Sequence, residues 1–147
     1  YKLEVNEFDY KGENQVIYDE NGVVIRSFPA IHAIDGSVSF SLEWNGLKFV
    51  FSSDTYPNKW FVRYAKDADL VIHDAQYTRE ELGRKTGWGH SSWEQAVAVA
   101  EQSGARKLAL FHHDPEHTDS LLFEVERDCR QRFPEAFLAR EGAQIEL

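Results

Sequence analysis

The sequence predicts an α/β fold, with β-hairpins first and alternating strands and helices after them. Three observations carry this reading. Asn21-Gly22 and Asn45-Gly46 each lie between β-favouring runs, a strong short-range hairpin signal. Asp69–His73 and Lys107–Phe111 are short and nearly continuously apolar, as strands covered on both faces are. The segments between and after them carry apolar residues at helical spacing. That order makes a mixed β-sheet covered by helices.

Residues 1–14 are the least patterned stretch. Gln15–Asp19 and Val23–Phe28 form the first expected hairpin. In Gly36–Trp44, Val38, Phe40 and Leu42 alternate with Ser39 and Ser41, the period of a half-buried strand. Asn45-Gly46 turns it into Leu47–Phe51. Pro57 suits the first turn of a helix running through Trp60, Val62 and Ala65. After the strand Asp69–His73, Ser91-x-x-Glu94 reads as a capping box ahead of Trp93, Ala96, Val97 and Ala100, and Gly104 ends that helix. Lys107–Phe111 is the next strand. Asp119 begins a helix with Leu121, Leu122, Val125 and Cys129 on one stripe, ending near Pro134. Gln144–Leu147 is expected as a last edge strand. The chain shows no internal repeat, linker or low-complexity tract.

At 147 residues the chain is one domain's worth, and 42% hydrophobic with 28% charged residues is a globular composition. A net charge of −9 argues against a bulk electrostatic grip on nucleic acid, while leaving a nucleotide substrate open to local cations or metals. One cysteine, Cys129, excludes an intrachain disulfide and fits the cytoplasm. No apolar run approaches the ~18 residues of a membrane span, and no signal peptide is visible at the start.

Candidate chemistry gathers at strand ends, where α/β proteins place their sites. Asp54 follows an apolar strand in Phe51-Ser52-Ser53-Asp54-Thr55. It reads as an Asx turn or as a carboxylate able to bridge two cations. His112-His113 closes the strand Lys107–Phe111. Neutral imidazole binds Zn, Mn and Fe readily, and strand alternation would point the two rings to opposite sides. His32 alone reads as a loop histidine between two strands. Asp74 ends another strand, and His90 precedes a helix N-terminus, which favours anions. Gly89 beside it permits a close backbone approach to a ligand. Asp74 behind His90 would make an oriented acid–base pair. Arg79, Arg84 and Lys85 read first as a solvated helix face, and otherwise as a cationic patch near His90.

Five elements stand in order: His32 before a hairpin, Ser53-Asp54-Thr55 at its end, His73-Asp74-Ala75, Gly89-His90-Ser91-Ser92, and Leu110-Phe111-His112. From about Val23 onward the chain resembles the C-terminal half of a metallo-β-lactamase-fold metallohydrolase. The nearest likeness is to the phosphodiesterase branch that includes ribonuclease Z-like proteins. The resemblance implies half of an αββα sandwich and a metal-dependent hydrolase of phosphodiester bonds, of cyclic-nucleotide or RNA type. It implies two divalent metal ions, Zn first and Mn or Fe as alternatives. Asp54 would bridge them, with His32 and His112 as the other metal ligands. His90, backed by Asp74, would protonate the leaving oxygen, and His90 and Ser91 would contact the substrate.

The family's His-x-His-x-Asp-His motif is absent, because histidines 32, 73, 90, 112, 113 and 117 include no pair with that spacing. With no methionine present, this predicts that residues 1–147 are a single C-terminal half-domain. Alone it would hold metal only partially and be inactive. It would pair with its own N-terminal half or with a copy of itself, and no membrane partner is expected. Two alternatives stand beside this reading: a metallohydrolase of another ester, lactone or thioester bond, and a non-catalytic half-domain serving as a binding module.

Overall fold

The computed structural model describes residues 4–147. Seven strands form one sheet in the order of the chain: β1 (Gln15–Glu20), β2 (Val23–Pro29), β3 (Val38–Trp44), β4 (Leu47–Phe51), β5 (Leu70–Asp74), β6 (Lys107–Phe111) and β7 (Ala136–Leu138). Strands β1 to β4 pair antiparallel, and β4 to β7 pair parallel. Both expected hairpins form, with Asn21 and Asn45 at φ 53° and 51° and a positive-φ glycine after each. Four helices join the parallel half: α1 (Lys59–Tyr64), α2 (Arg79–Arg84), α3 (Trp93–Ser103) and α4 (Asp119–Arg132).

The ends differ from the sequence expectation in four places. Asn58, not Pro57, leads α1, its side chain accepting from the Phe61 N–H. The α3 cap is Ser92 with Gln95, one residue beyond the expected Ser91 and Glu94. Ser91 is unavailable because its hydroxyl donates to Thr55 O at 2.6 Å. Helix α2 gives bounds to the solvated helix face expected at Arg79–Lys85, with a Thr78–Glu81 capping box but no buried residue, so no apolar stripe marked its ends. The last strand is Ala136–Leu138, whose Ala136 and Leu138 are buried, whereas Gln144–Leu147 are exposed and unpaired in strand terms.

The core lies between the sheet and α1, α3 and α4. Phe28, Val50, Val71, Leu108, Leu110, Ala136 and Leu138 meet Phe61, Ala96, Val97, Ala100, Val125 and Cys129 there. Phe28 is fully buried with ring contacts to Phe61 and Tyr64 at 5.9 and 4.9 Å. Burying such a side chain contributes roughly 1.5–3 kcal/mol. Small residues on α3 let it settle close to the strands. Burial of Cys129 pushes its thiol up to about 12, which keeps it protonated.

Strand β3 reverses the burial its alternation suggests. Ser39 and Ser41 face the helix layer at 0% and 3% exposure, and the Ser39 hydroxyl is satisfied by Ser52 O at 2.7 Å. Phe40 and Leu42 face the other way and stay half-buried. Cross-strand register puts Ile25, Leu42, Phe49 and Phe40, Phe51, Ile72 on that same face. Among the described residues no helix covers it; Phe8 alone lies edge-on to Phe40 at 6.5 Å. No described helix is long and apolar enough to cross a membrane.

Replacing Ser92 by Ala removes the α3 cap and should destabilise the protein by about 1 kcal/mol, against a few tenths for Ser92→Gly. Urea unfolding of the two variants measures both, and equal losses would show that the cap is not what holds this end.

Candidate metal centre

One edge of the sheet collects the chemistry. Strands β2, β4, β5 and β6 all run the same way, so the loops leaving them emerge together. His32 leaves β2, Asp54 leaves β4, Asp74 ends β5 and His112 leaves β6. His90 arrives on the approach to α3. Five residues scattered over the sequence thus share one rim, as the sequence reading expected.

The turn carrying Asp54 is tightly held. Ser53 has φ 53° and His112 has φ 61°, left-handed values that cost roughly 1–3 kcal/mol each in non-glycine residues and collect at functional sites. Ser52 is fully buried and offsets that strain: its N–H donates to Ile72 O and its hydroxyl oxygen accepts from the Asp74 N–H. Thr55 is the neighbouring knot. Its N–H donates to Asp74 Oδ2 at 3.0 Å, its hydroxyl oxygen accepts from the Ile31 N–H, and its carbonyl accepts from Ser91. It therefore ties together the segments bearing His32, Asp54, Asp74 and His90. Nothing in sequence marked Ser52 or Thr55 for this; their only signal was adjacency to Asp54.

Imidazoles and carboxylates converge at this rim. His32 Nε2 and His90 Nε2 stand 3.4 Å apart. The His90 and His112 rings stack at 5.0 Å between centroids, and His112 Nδ1 is 3.7 Å from Asp54 Oδ1. One ligand-capable atom each from His32, Asp54 and His90 lies within 4.8 Å of the others. Asp74 is fully buried and accepts from His90 Nδ1 at 2.9 Å. That bond places the ring proton on Nδ1 and leaves His90 Nε2 facing the site. His32 is oriented differently: its Nδ1 accepts from the Ile34 N–H at 3.2 Å. Coordination through His32 Nε2 would move the ring proton to Nδ1 and give up that bond.

The donor set suits a divalent cation. Convergent imidazole nitrogens and a carboxylate are the chemistry of Zn, Mn and Fe sites, and the 4.8 Å grouping gives them common reach. The grouping includes His90, which the sequence reading kept outside the ligands.

The remaining candidates are engaged elsewhere. Ser91 is fully buried on Thr55 O, so its hydroxyl braces the Asp54 turn. His73 is a core residue: it donates Nδ1–H to Asp74 O at 2.7 Å and packs on Phe61, and burial pushes its pKa down. His113 turns away from His112 and lines a cavity with Asp119, Leu122 and Leu138. Lys85 pairs with Asp114 at 2.7 Å, and His117 pairs with Glu81 at 2.9 Å. The Lys85 ammonium beside Asp114 holds that carboxyl below the usual carboxylate range. Arg84 pairs with Glu80 one turn back on α2, as a solvated helix face would. Gly89 has a use the sequence did not show. At φ +92° it lies against His32, and a Cβ there would come within 2.4 Å of Ala33 N and 2.7 Å of His32 Cδ2. The space belongs to the His32 loop rather than to a ligand.

Sheet topology and rim together define a metallo-β-lactamase-type fold with a His/Asp cluster at its strand ends. The chain belongs to the beta-lactamase superfamily domain family, which its residues 1–113 match. It is similar to ribonuclease Z of Gemmatimonas aurantiaca, 33% identical over 114 residues, covering 78% of this chain and 36% of that protein. Ribonuclease Z of Halorubrum lacusprofundi is 36% identical over 103 residues, covering 69% and 33%. The chain thus spans about a third of the length of these relatives. Among solved structures, the short form of human tRNase Z aligns with TM-score 0.63 and 27% identity, covering 70% of this chain and 40% of that one. The metallo-β-lactamase fold protein YhfI of Bacillus subtilis shares the fold at TM-score 0.76 and 20% identity, covering 90% and 52%.

Gly89→Ala should push the His32 loop away from His90. The expected outcome is a lower Tm together with weaker metal retention on dialysis, because strain and clash act at the same place. A variant that kept both would place the His32 loop elsewhere.

Proposed function

We propose that the protein is a metal-dependent hydrolase of phosphodiester bonds, acting on a nucleotide or RNA-type substrate. The observation that carries this is the buried Asp74–His90 pair aimed into a cluster of metal-capable side chains. The similarity to proteins named ribonuclease Z supports the substrate class. Asp54, His32 and His112 would hold divalent cations, most simply two Zn ions with Asp54 as the proposed shared ligand, which when bound would supply a Lewis acid for the phosphoryl oxygen and lower the pKa of a water.

The chain's own residues do the rest. Asp74 keeps one proton on His90 Nδ1, so in the imidazolium form the second proton, on Nε2, is presented to the leaving oxygen. The Thr55 N–H on the same carboxylate couples the position of that acid to the Asp54 turn. Ser91 contributes by holding Thr55, next to any substrate contact made by His90. We place the protein in the cytoplasm, on a single cysteine that can form no intrachain disulfide.

Residues 1–147 act as a C-terminal half-domain in this reading. The half-buried face bearing Phe40, Leu42, Phe49, Phe51 and Ile72 offers apolar surface to a partner. Its occupant is the protein's own N-terminal half, which also completes the ligand set, a second copy of the chain being the other candidate. The fraction of the relatives' length that the chain spans supports the first.

Three outcomes test the proposal in the full-length protein. Asp54→Ala should lose metal and turnover together, read by elemental analysis and by hydrolysis of bis(p-nitrophenyl) phosphate; retention of two metals would remove Asp54 from the shared position. His90→Ala should keep its metal and lower turnover by about 10²–10⁴. If metal is lost as well, His90 is a ligand, the role its place in the 4.8 Å grouping allows. Residues 1–147 alone should show partial metal occupancy and no turnover, and hydrolysis by that segment would refute the half-domain reading.

A further inference from the structure

We propose that Trp88 is a stacking subsite for a nucleobase of the substrate, an assignment that rests on the phosphodiesterase reading above. Trp88 lies two residues before His90 and is 62% exposed. The loop that presents this exposed indole is fixed at several points. The Trp88 backbone N–H donates to Lys85 O at 3.3 Å, which closes a turn. The Gly87 N–H donates to the Tyr56 hydroxyl at 2.6 Å, two residues past Asp54. Gly89 is seated on the His32 loop, and Lys85 reaches Asp114 beyond His112 at 2.7 Å. The indole is therefore presented by a loop anchored to every segment that bears a proposed metal ligand.

Lys85 and the buried Tyr77 link the indole to the proposed acid. Lys85 Nζ lies 5.9 Å from the Trp88 ring centroid and 4.7 Å from that of Tyr77, and Tyr77 stands edge-on to His90 at 5.9 Å. Asp114 answers the Lys85 charge, and Lys85 covers one side of the exposed indole, so a base would stack on the other side. Ile31 and Ile34 on the His32 loop are exposed too, at 41% and 73%. The flat indole, its nearby cation and the phosphodiester centre match a planar heterocycle joined to a phosphate. Aromatic platforms of this kind hold bases without sequence preference.

Four measurements on the full-length protein decide it. Trp88→Ala should raise KM for the dinucleotide adenylyl-adenosine about tenfold, with kcat within about twofold, and Trp88→Phe should keep most of the affinity. AMP binding should weaken in parallel, while ribose 5-phosphate, which lacks the base, should bind as before. AMP should quench tryptophan fluorescence in the unaltered protein, and Trp88→Phe should abolish the quench. Equal effects on AMP and ribose 5-phosphate, or a quench that persists in Trp88→Phe, would overturn the subsite. If the unaltered protein does not turn over the dinucleotide, the phosphodiesterase reading fails, and the AMP and ribose 5-phosphate comparison still decides Trp88.

Discussion

The buried carboxylate of Asp74 is the constraint on which the rim depends. A charge taken fully out of water is costly unless its lone pairs are filled. Here three donors fill them: the His90 ring, the Thr55 N–H and the Gln76 N–H. Each donor belongs to a different piece of the site. His90 is the proposed acid, Thr55 follows the metal-capable Asp54, and Gln76 begins the loop toward α2. One carboxylate thus sets the orientation of the proposed acid and its distance from the metal-capable side chains. Ser52, accepting from the Asp74 N–H, locks the same residue from the backbone side.

The sheet explains why these pieces arrive together. Parallel pairing of β4, β5 and β6 sends their exit loops to one edge, and the antiparallel hairpin before them returns β2 in the same sense. Loops alone would be mobile, so each is anchored. Thr55 joins the His32 and His90 loops, and Lys85–Asp114 and His117–Glu81 join α2 to the loop after β6. The strain at Ser53 and His112 is tolerated because those anchors surround it.

Much of this was legible one residue at a time. Asn-Gly pairs announced the hairpins, continuous apolar runs announced β5 and β6, and strand-end polar residues announced the rim. The limits were physical. Ser91-x-x-Glu94 and Ser92-x-x-Gln95 are equally good caps in one dimension, and the Thr55 carbonyl, distant in sequence, chose between them by taking the Ser91 hydroxyl. Helix α2 has no apolar stripe because it packs little, so charge and not periodicity hinted at it and its ends stayed unset. Gly89 looked like room for a ligand, whereas the room is occupied by His32.

By itself the sequence determined the element order, the shared-face groupings of each strand and the five residues of the rim, because turn chemistry, period and strand ends are local properties. Tertiary structure decided which face of the sheet the helices cover, and so left Phe40 and Leu42 half-exposed while burying Ser39 and Ser41. It also decided that His90 stands within reach of the metal-capable side chains, 3.4 Å from His32. Alternation states only that residues share a side. Which side is buried, and which side chains meet across a rim, depends on layers and loops that come from distant parts of the chain.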